Sequence, residues 1–200
     1  MDYSKLLPYV PEKGILFIEK WLSPYWFYLT IKNPRETKLG DYRLPLRGQP
    51  HKITVNAGMS KSLCFLTLTH EIAHLAAYDL HSREILPHGQ EWKKIFSDMI
   101  LKSLDVYEED LRKLLLKYAR NPKANFYADR SLSEYFLRKE NDNVIFVKDL
   151  EYKQPFLFKG KIYYRLEKQK TRYLCLENKT NKRYLITGSA PVQAVKDDKE

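Results

Sequence analysis

Cysteine is nearly missing from this 200-residue chain, which carries only Cys64 and Cys175. Two thiols at unrelated positions build no disulfide framework, and a four-cysteine structural zinc cannot form within one chain. This usage suits a reducing compartment. No apolar run approaches eighteen residues, and the start, Met-Asp-Tyr-Ser-Lys-Leu-Leu-Pro, has no basic segment followed by an apolar one. The expectation is a soluble, unexported, cytoplasmic protein. Internal repeats and low-complexity tracts are lacking as well. Histidine is absent from the last 112 residues, because all five (51, 70, 74, 81 and 88) fall in one 38-residue window.

That window contains Thr69-His70-Glu71-Ile72-Ala73-His74. Histidines four apart on a helix project from one side about one turn apart, so both can reach a single cation at roughly 2.0–2.1 Å. Glu71 then stands beside the metal, where a carboxylate can take a proton from a water on the ion. The surrounding run from Leu63 to Ala77 has no helix breaker and is apolar on nearly every side, which predicts a buried helix. Polar groups inside such a helix need partners, because an unpaired buried imidazole or carboxylate is costly. A metal with a bound water supplies them.

A catalytic site of this kind needs a third ligand, and His81 and His88 are the candidates. The metzincin pattern is excluded, since Ala77 and Leu80 stand where it requires glycine and histidine. His81 would share the helix face but lie about 10 Å beyond His74 along the axis, so it could coordinate only if the helix bent sharply. His88 lies between Leu86-Pro87 and Gly89, where the chain breaks and a new amphipathic helix begins. From there it can fold back onto the first helix. His51 and His81 read best as ordinary residues.

His70-Glu71-x-x-His74 followed, after thirteen intervening residues, by His88-Gly89-x-x-Trp92 resembles the SprT-like metallopeptidase family, which includes the Spartan proteases that digest proteins crosslinked to DNA. The segments Arg35 to Arg43 and Ile53-Thr54-Val55-Asn56 resemble its two strands before the motif helix, and the likeness covers roughly residues 10 to 105. The resemblance implies an α+β zincin-like domain with a small antiparallel sheet, one catalytic Zn2+ held by His70, His74 and His88, and Glu71 as the catalytic carboxylate. It implies a zinc metalloendopeptidase acting on DNA-associated or DNA-crosslinked proteins, cytoplasmic and associated with the nucleoid. The family's usual zinc ribbon cannot be present with two cysteines. Residues 156 to 187 still read as short strands, so a β-rich extension resembling a ribbon without its cysteines is expected.

The chain therefore divides into a metallopeptidase domain over 1–120, a connector over 121–145 and a basic β-rich extension over 146–200. Helices are expected near Pro11 to Leu22, from His88-Gly89 onward, from about Glu108 to Tyr118 and within Ser131 to Lys139. Strands are expected near Trp26 to Ile31, Lys38 to Arg43 and Lys52 to Val55. The formal net charge is +10, and residues 148 to 184 hold eleven Lys or Arg against four Asp or Glu. Interleaved aromatics make Lys159, Lys161, Arg165, Lys168, Lys170, Arg172, Lys182 and Arg183 candidates for contact with single-stranded or distorted DNA. On a two-faced sheet the same alternation places aromatics in the core and charges in solvent. Trp92 is expected to pack the second helix on the first, and Trp21, Trp26 and Tyr25 to Tyr28 read as packing residues. Asp79 is a candidate to orient a ligand. Two other readings keep the metal site: a nucleic-acid-binding accessory protein without proteolysis, and a cytosolic protease with a single protein partner.

Overall fold

The computed structural model describes residues 2–35, 37–46, 48–82 and 85–195. Glu36, part of the segment Arg35 to Arg43, lies outside them. The chain is α+β and falls into two compact units, residues 1–133 and 134–200. No helix among the described residues is long and apolar enough to cross a membrane.

The first unit runs α1 (Glu12–Leu22), β1 (Phe27–Lys32), β2 (Gly40–Arg43), β3 (His51–Asn56), α2 (Lys61–His81), α3 (Gln90–Lys102) and α4 (Glu109–Tyr118). Its sheet has the order β1-β3-β2 and is mixed rather than antiparallel as expected, with β1 parallel and β2 antiparallel to the central β3. Ser60 starts α2 by accepting the Leu63 N–H, and every residue from Ser62 to Ala73 is buried. A helix apolar on all sides must be surrounded. α1 reaches it through Gly14, where a Cβ would stand 2.9 Å from the Phe65 ring.

β1 shows a strict two-residue alternation of exposure, which corrects one reading. Trp26, just before the strand, and Tyr28, on its solvent side, are not packing residues: they are 65% and 54% exposed. A strand covered by helices on one face leaves every second side chain in water.

The interval read as a connector holds a 3-10 turn (Phe126–Ala128) and α5 (Arg130–Glu140), which runs across the division between units. The second unit continues with β4 (Ile145–Phe146), β5 (Pro155–Phe158), β6 (Lys161–Gln169), β7 (Arg172–Glu177), β8 (Arg183–Thr187) and β9 (Pro191–Ala194), in the sheet order β4-β9-β5-β6-β7-β8. Its core gathers Val147, Leu150, Phe156, Tyr163, Tyr173, Cys175 and Ile186. The turn at Lys159-Gly160 has positive φ at both residues, 49° and 75°, the pairing that a tight two-residue hairpin requires.

Candidate metal centre

His70 and His74 lie on the same face of α2, and His88 reaches them from the turn before α3. The Nε2 atoms form a triangle with edges of 3.2 Å (His70 to His74), 2.9 Å (His74 to His88) and 3.2 Å (His88 to His70). A tetrahedral ion at ~2.05 Å from each nitrogen holds its ligand atoms ~3.3 Å apart, so the triangle has the size of a three-histidine metal face. This is the group of potential ligands that converges among the described residues. The three side chains can hold a metal ion. His81 is exposed at the end of α2 and takes no part in it.

Burial holds the His70 pKa well below the usual imidazole range and moves that of His74 down to about 3, with the neighbouring histidines adding to both effects. The rings are therefore neutral at pH 7 and present lone pairs without first losing a proton. His70 Nδ1 is buried with no hydrogen-bond partner among the described residues. With Nε2 turned toward the other two histidines, Nδ1 is the ring nitrogen that would carry the proton if an ion were bound.

His88 adopts φ of 62°, a left-handed conformation uncommon outside glycine. It is the third residue of a tight turn in which the Gly89 N–H donates to the Leu86 carbonyl at 2.8 Å, and a Cβ on Gly89 would meet that oxygen at 2.9 Å. Such strain persists where the surroundings enforce it. Here Trp92, fully buried one turn into α3, touches all three imidazoles, with centroids 4.7 Å from His70, 5.2 Å from His74 and 4.6 Å from His88. The predicted packing role of Trp92 is thus more specific, since one indole forms a wall common to the three rings.

Glu71 is 7% exposed. Burial raises its pKa to about 8 and nearby Asp41 adds to the rise, while Arg35, Lys38 and a hydrogen bond from the Tyr42 N–H oppose it. β2 closes over this carboxylate. A Cβ at Gly40 would come within 2.4 Å of Glu71 Oε1, so only glycine lets the strand lie there. Asn56, 2% exposed, fixes the approach, as its amide donates to the carbonyls of Lys38 at 2.8 Å and Arg35 at 3.2 Å. Arg35 in turn donates from Nε to Asn56 Oδ1 at 2.7 Å.

Tyr42 was not singled out by sequence. Its ring lies parallel to His74 at 6.1 Å and its hydroxyl is 2.9 Å from His51 Nδ1. Asp79 is exposed and acts on Tyr25, Tyr42 and His51 rather than on a ligand ring. A cleft of about 770 Å³ runs over the centre, bordered by β2, by the loop containing Leu86 and by Ala124 to Tyr127.

The basic residues of the second unit are not gathered on one face. Lys161, Arg165 and Lys168 pair across the sheet with Phe158, Cys175 and Tyr173, on the core side, whereas Arg172 and Arg183 pair with Thr187 and Leu176 on the other. Arg165 stacks over Tyr173 at 4.5 Å, and Lys161 is bonded to Glu177 at 3.0 Å. Lys159 and Lys170 occupy hairpin turns, and Lys182 precedes β8. Phe156, Tyr163 and Tyr173 are buried, while Tyr152 and Tyr184 are exposed.

Residues 29–107 match the model of the SprT-like family. No curated protein and no solved structure matches the chain.

Proposed function

From the premise that residues 29–107 belong to the SprT-like family, a family of metallopeptidase type, we propose that this protein is a zinc-dependent endopeptidase with Glu71 as its general base. The observation that carries the reading is the convergence of three imidazole nitrogens within 3.2 Å beside a buried carboxylate at the floor of an open cleft.

His70, His74 and His88 would hold Zn2+, and the Trp92 wall keeps their rings aimed at one point. A bound dication supplies polarisation of the scissile carbonyl and of the attacking water. Glu71 takes the proton from that water and returns it to the leaving amine. A cation held by the three histidines would lower the Glu71 pKa from its metal-free value and favour the ionised carboxylate that a general base requires. The Tyr42 N–H orients the carboxylate, and the missing side chain of Gly40 makes space for it. β2 is an edge strand beside the cleft, so an extended polypeptide can add to it by main-chain hydrogen bonds with little dependence on side chains.

The substrate in this reading is protein held on or near DNA. The family resemblance and the exposed cations of the second unit support it, namely Lys159, Lys168, Lys170, Arg172, Lys182 and Arg183. The test is Glu71→Gln on a denatured protein substrate, with and without single-stranded DNA. Loss of cleavage with retained zinc supports the enzyme. Equal cleavage by the variant refutes it.

A further inference from the structure

The face of the three-stranded sheet turned away from α2 carries an unusual set of side chains. Cross-strand register puts Tyr28, Lys52 and Arg43 in one row and Thr30, Thr54 and Asp41 in the next. Trp26 lies just before β1, and Lys32 ends the strand. Cross-strand partners share a face, so these residues form one surface. Tyr28, Thr30 and Thr54 line a shallow depression of about 430 Å³ together with the four cations Lys32, Arg35, Arg43 and Lys52, and no carboxylate among the described residues lines it; Trp26 stands outside it. The nearest acid on this face, Asp41, is engaged by Lys38 at 2.7 Å and Arg43 at 2.9 Å. Arg35 is strapped across the sheet, with Nη1 donating to Thr54 Oγ1 at 3.0 Å and its buried Nη2 without an acceptor among the described residues.

A solvated sheet face ordinarily mixes charges of both signs and small polar residues. This one sets four cations around its depression against a single carboxylate on the face, Asp41, already paired with Lys38 and Arg43, and adds an indole that is 65% exposed. Neither feature stabilises the fold. Together they match a polyanion that also offers flat apolar surfaces, because cations track phosphates while aromatic rings stack on unpaired bases. An acidic peptide would satisfy the cations and leave Trp26 and Tyr28 without a partner. A duplex keeps its bases stacked inside and offers these rings nothing.

We infer that the solvent face of the β1-β3-β2 sheet, centred on Trp26, Tyr28, Lys32 and Lys52, is a binding site for single-stranded nucleic acid. The site is separate from the cations of the second unit and does not depend on proteolysis. β2 connects it to the metal centre, since Asp41 and Arg43 point to this face while Tyr42 between them points to His74. A strand held here therefore lies across the sheet from the cleft.

The test uses the full chain and a fluorescently labelled oligothymidine of about 20 nucleotides, followed by anisotropy over a salt series. Lys32→Glu with Lys52→Glu, both exposed, is expected to weaken binding at least about tenfold and to lower the slope of log affinity against log salt by roughly 1.4, the value for two phosphate contacts on a single strand. Trp26→Phe is expected to remove most of the quenching of intrinsic tryptophan fluorescence that the oligomer causes. Far-ultraviolet circular dichroism and metal content should match the wild type in both variants. Affinity and slope within about twofold of wild type in the charge-reversed protein would overturn the inference. So would undiminished quenching in Trp26→Phe, or competition by polyglutamate equal to that by oligothymidine.

Discussion

At the residue scale, Glu71 and the buried histidines act in opposite directions on the stability of the metal-free protein as pH rises, and Glu71 can be isolated by mutation. Its pKa in the fold is about 8 against an ordinary 4.5, chiefly through burial. A raised folded pKa means that the folded chain binds more protons than the unfolded one between those values, so this group withdraws stability as pH rises from about 4.5 to 8. Glu71→Gln abolishes that titration. Metal-free Glu71→Gln should gain on metal-free wild type across this window, by up to about 4 kcal/mol, in thermal unfolding followed at several pH values. A constant difference across the window would contradict the assignment. Gly40→Ala makes a second residue-scale prediction. Its new methyl would stand 2.4 Å from Glu71 Oε1 and 2.8 Å from Thr67 Cγ2. Metal content should be unchanged while peptide cleavage falls roughly 10- to 100-fold, the effect of a misplaced base; loss of the metal instead would place the damage elsewhere.

The same scale shows which parts of the site the sequence could reveal. His70, Glu71 and His74 were legible because one helix fixes their spacing, and His88 because Pro87 and Gly89 bracket it with a chain reversal. Tyr42, Gly40 and Asn56 were not. Their contacts to Glu71 and to the 35–38 segment depend on how β2 docks on α2, and no local periodicity encodes a docking between elements some thirty residues apart in the chain. Trp26 was misread for a related reason. A cluster of aromatics suggests a core by composition, and only the sheet's one-sided covering decides which of them faces water.

Among elements, those with strong local signals emerged near their expected places. α2 extends beyond the run Leu63 to Ala77 at both ends, to Lys61–His81, because Ser60 supplies a cap and the amphipathic tail from Tyr78 continues the turn. β5 to β8 follow the alternation and turns read from residues 156 to 187. β4 and β9 were not anticipated, since strands of two and four residues carry too little pattern. They close the edge of the second sheet by pairing Ile145 with Val192. The packing of α3 on α2 rests heavily on Trp92, which is fully buried and touches His70, His74 and His88. Trp92→Ala should cost about 3–5 kcal/mol in chemical denaturation and should also weaken metal binding in a chelator competition. A variant equally unstable but with wild-type metal affinity would show that the indole packs the helices without aiming the histidines.

For the whole molecule, the informative fact is the division at 133/134. The metal centre, the cleft and the basic sheet face all lie in the first unit, which has its own core around α2 and contains the matched residues 29–107. The second unit has a separate core, and its cations are divided between two faces of a sheet. A chain ending at residue 133 should therefore fold cooperatively and take up metal with the stoichiometry of the full chain, as read by calorimetric unfolding and metal analysis. An unfolded fragment would mean that the metal centre depends on the second unit. Composition alone placed the positive charge in the C-terminal region; it could not show that the first unit presents four cations around one depression, because those residues come from three separate segments.

The measurement that bears most directly on the three-histidine centre is metal content per chain in wild type and in His88→Ala, by mass spectrometry of the native protein and of the released ion. One zinc per wild-type chain and a large loss in His88→Ala, with the fold retained, is the predicted result. A well-folded wild type that takes up no divalent ion, or a His88→Ala variant that keeps its full complement, would contradict it.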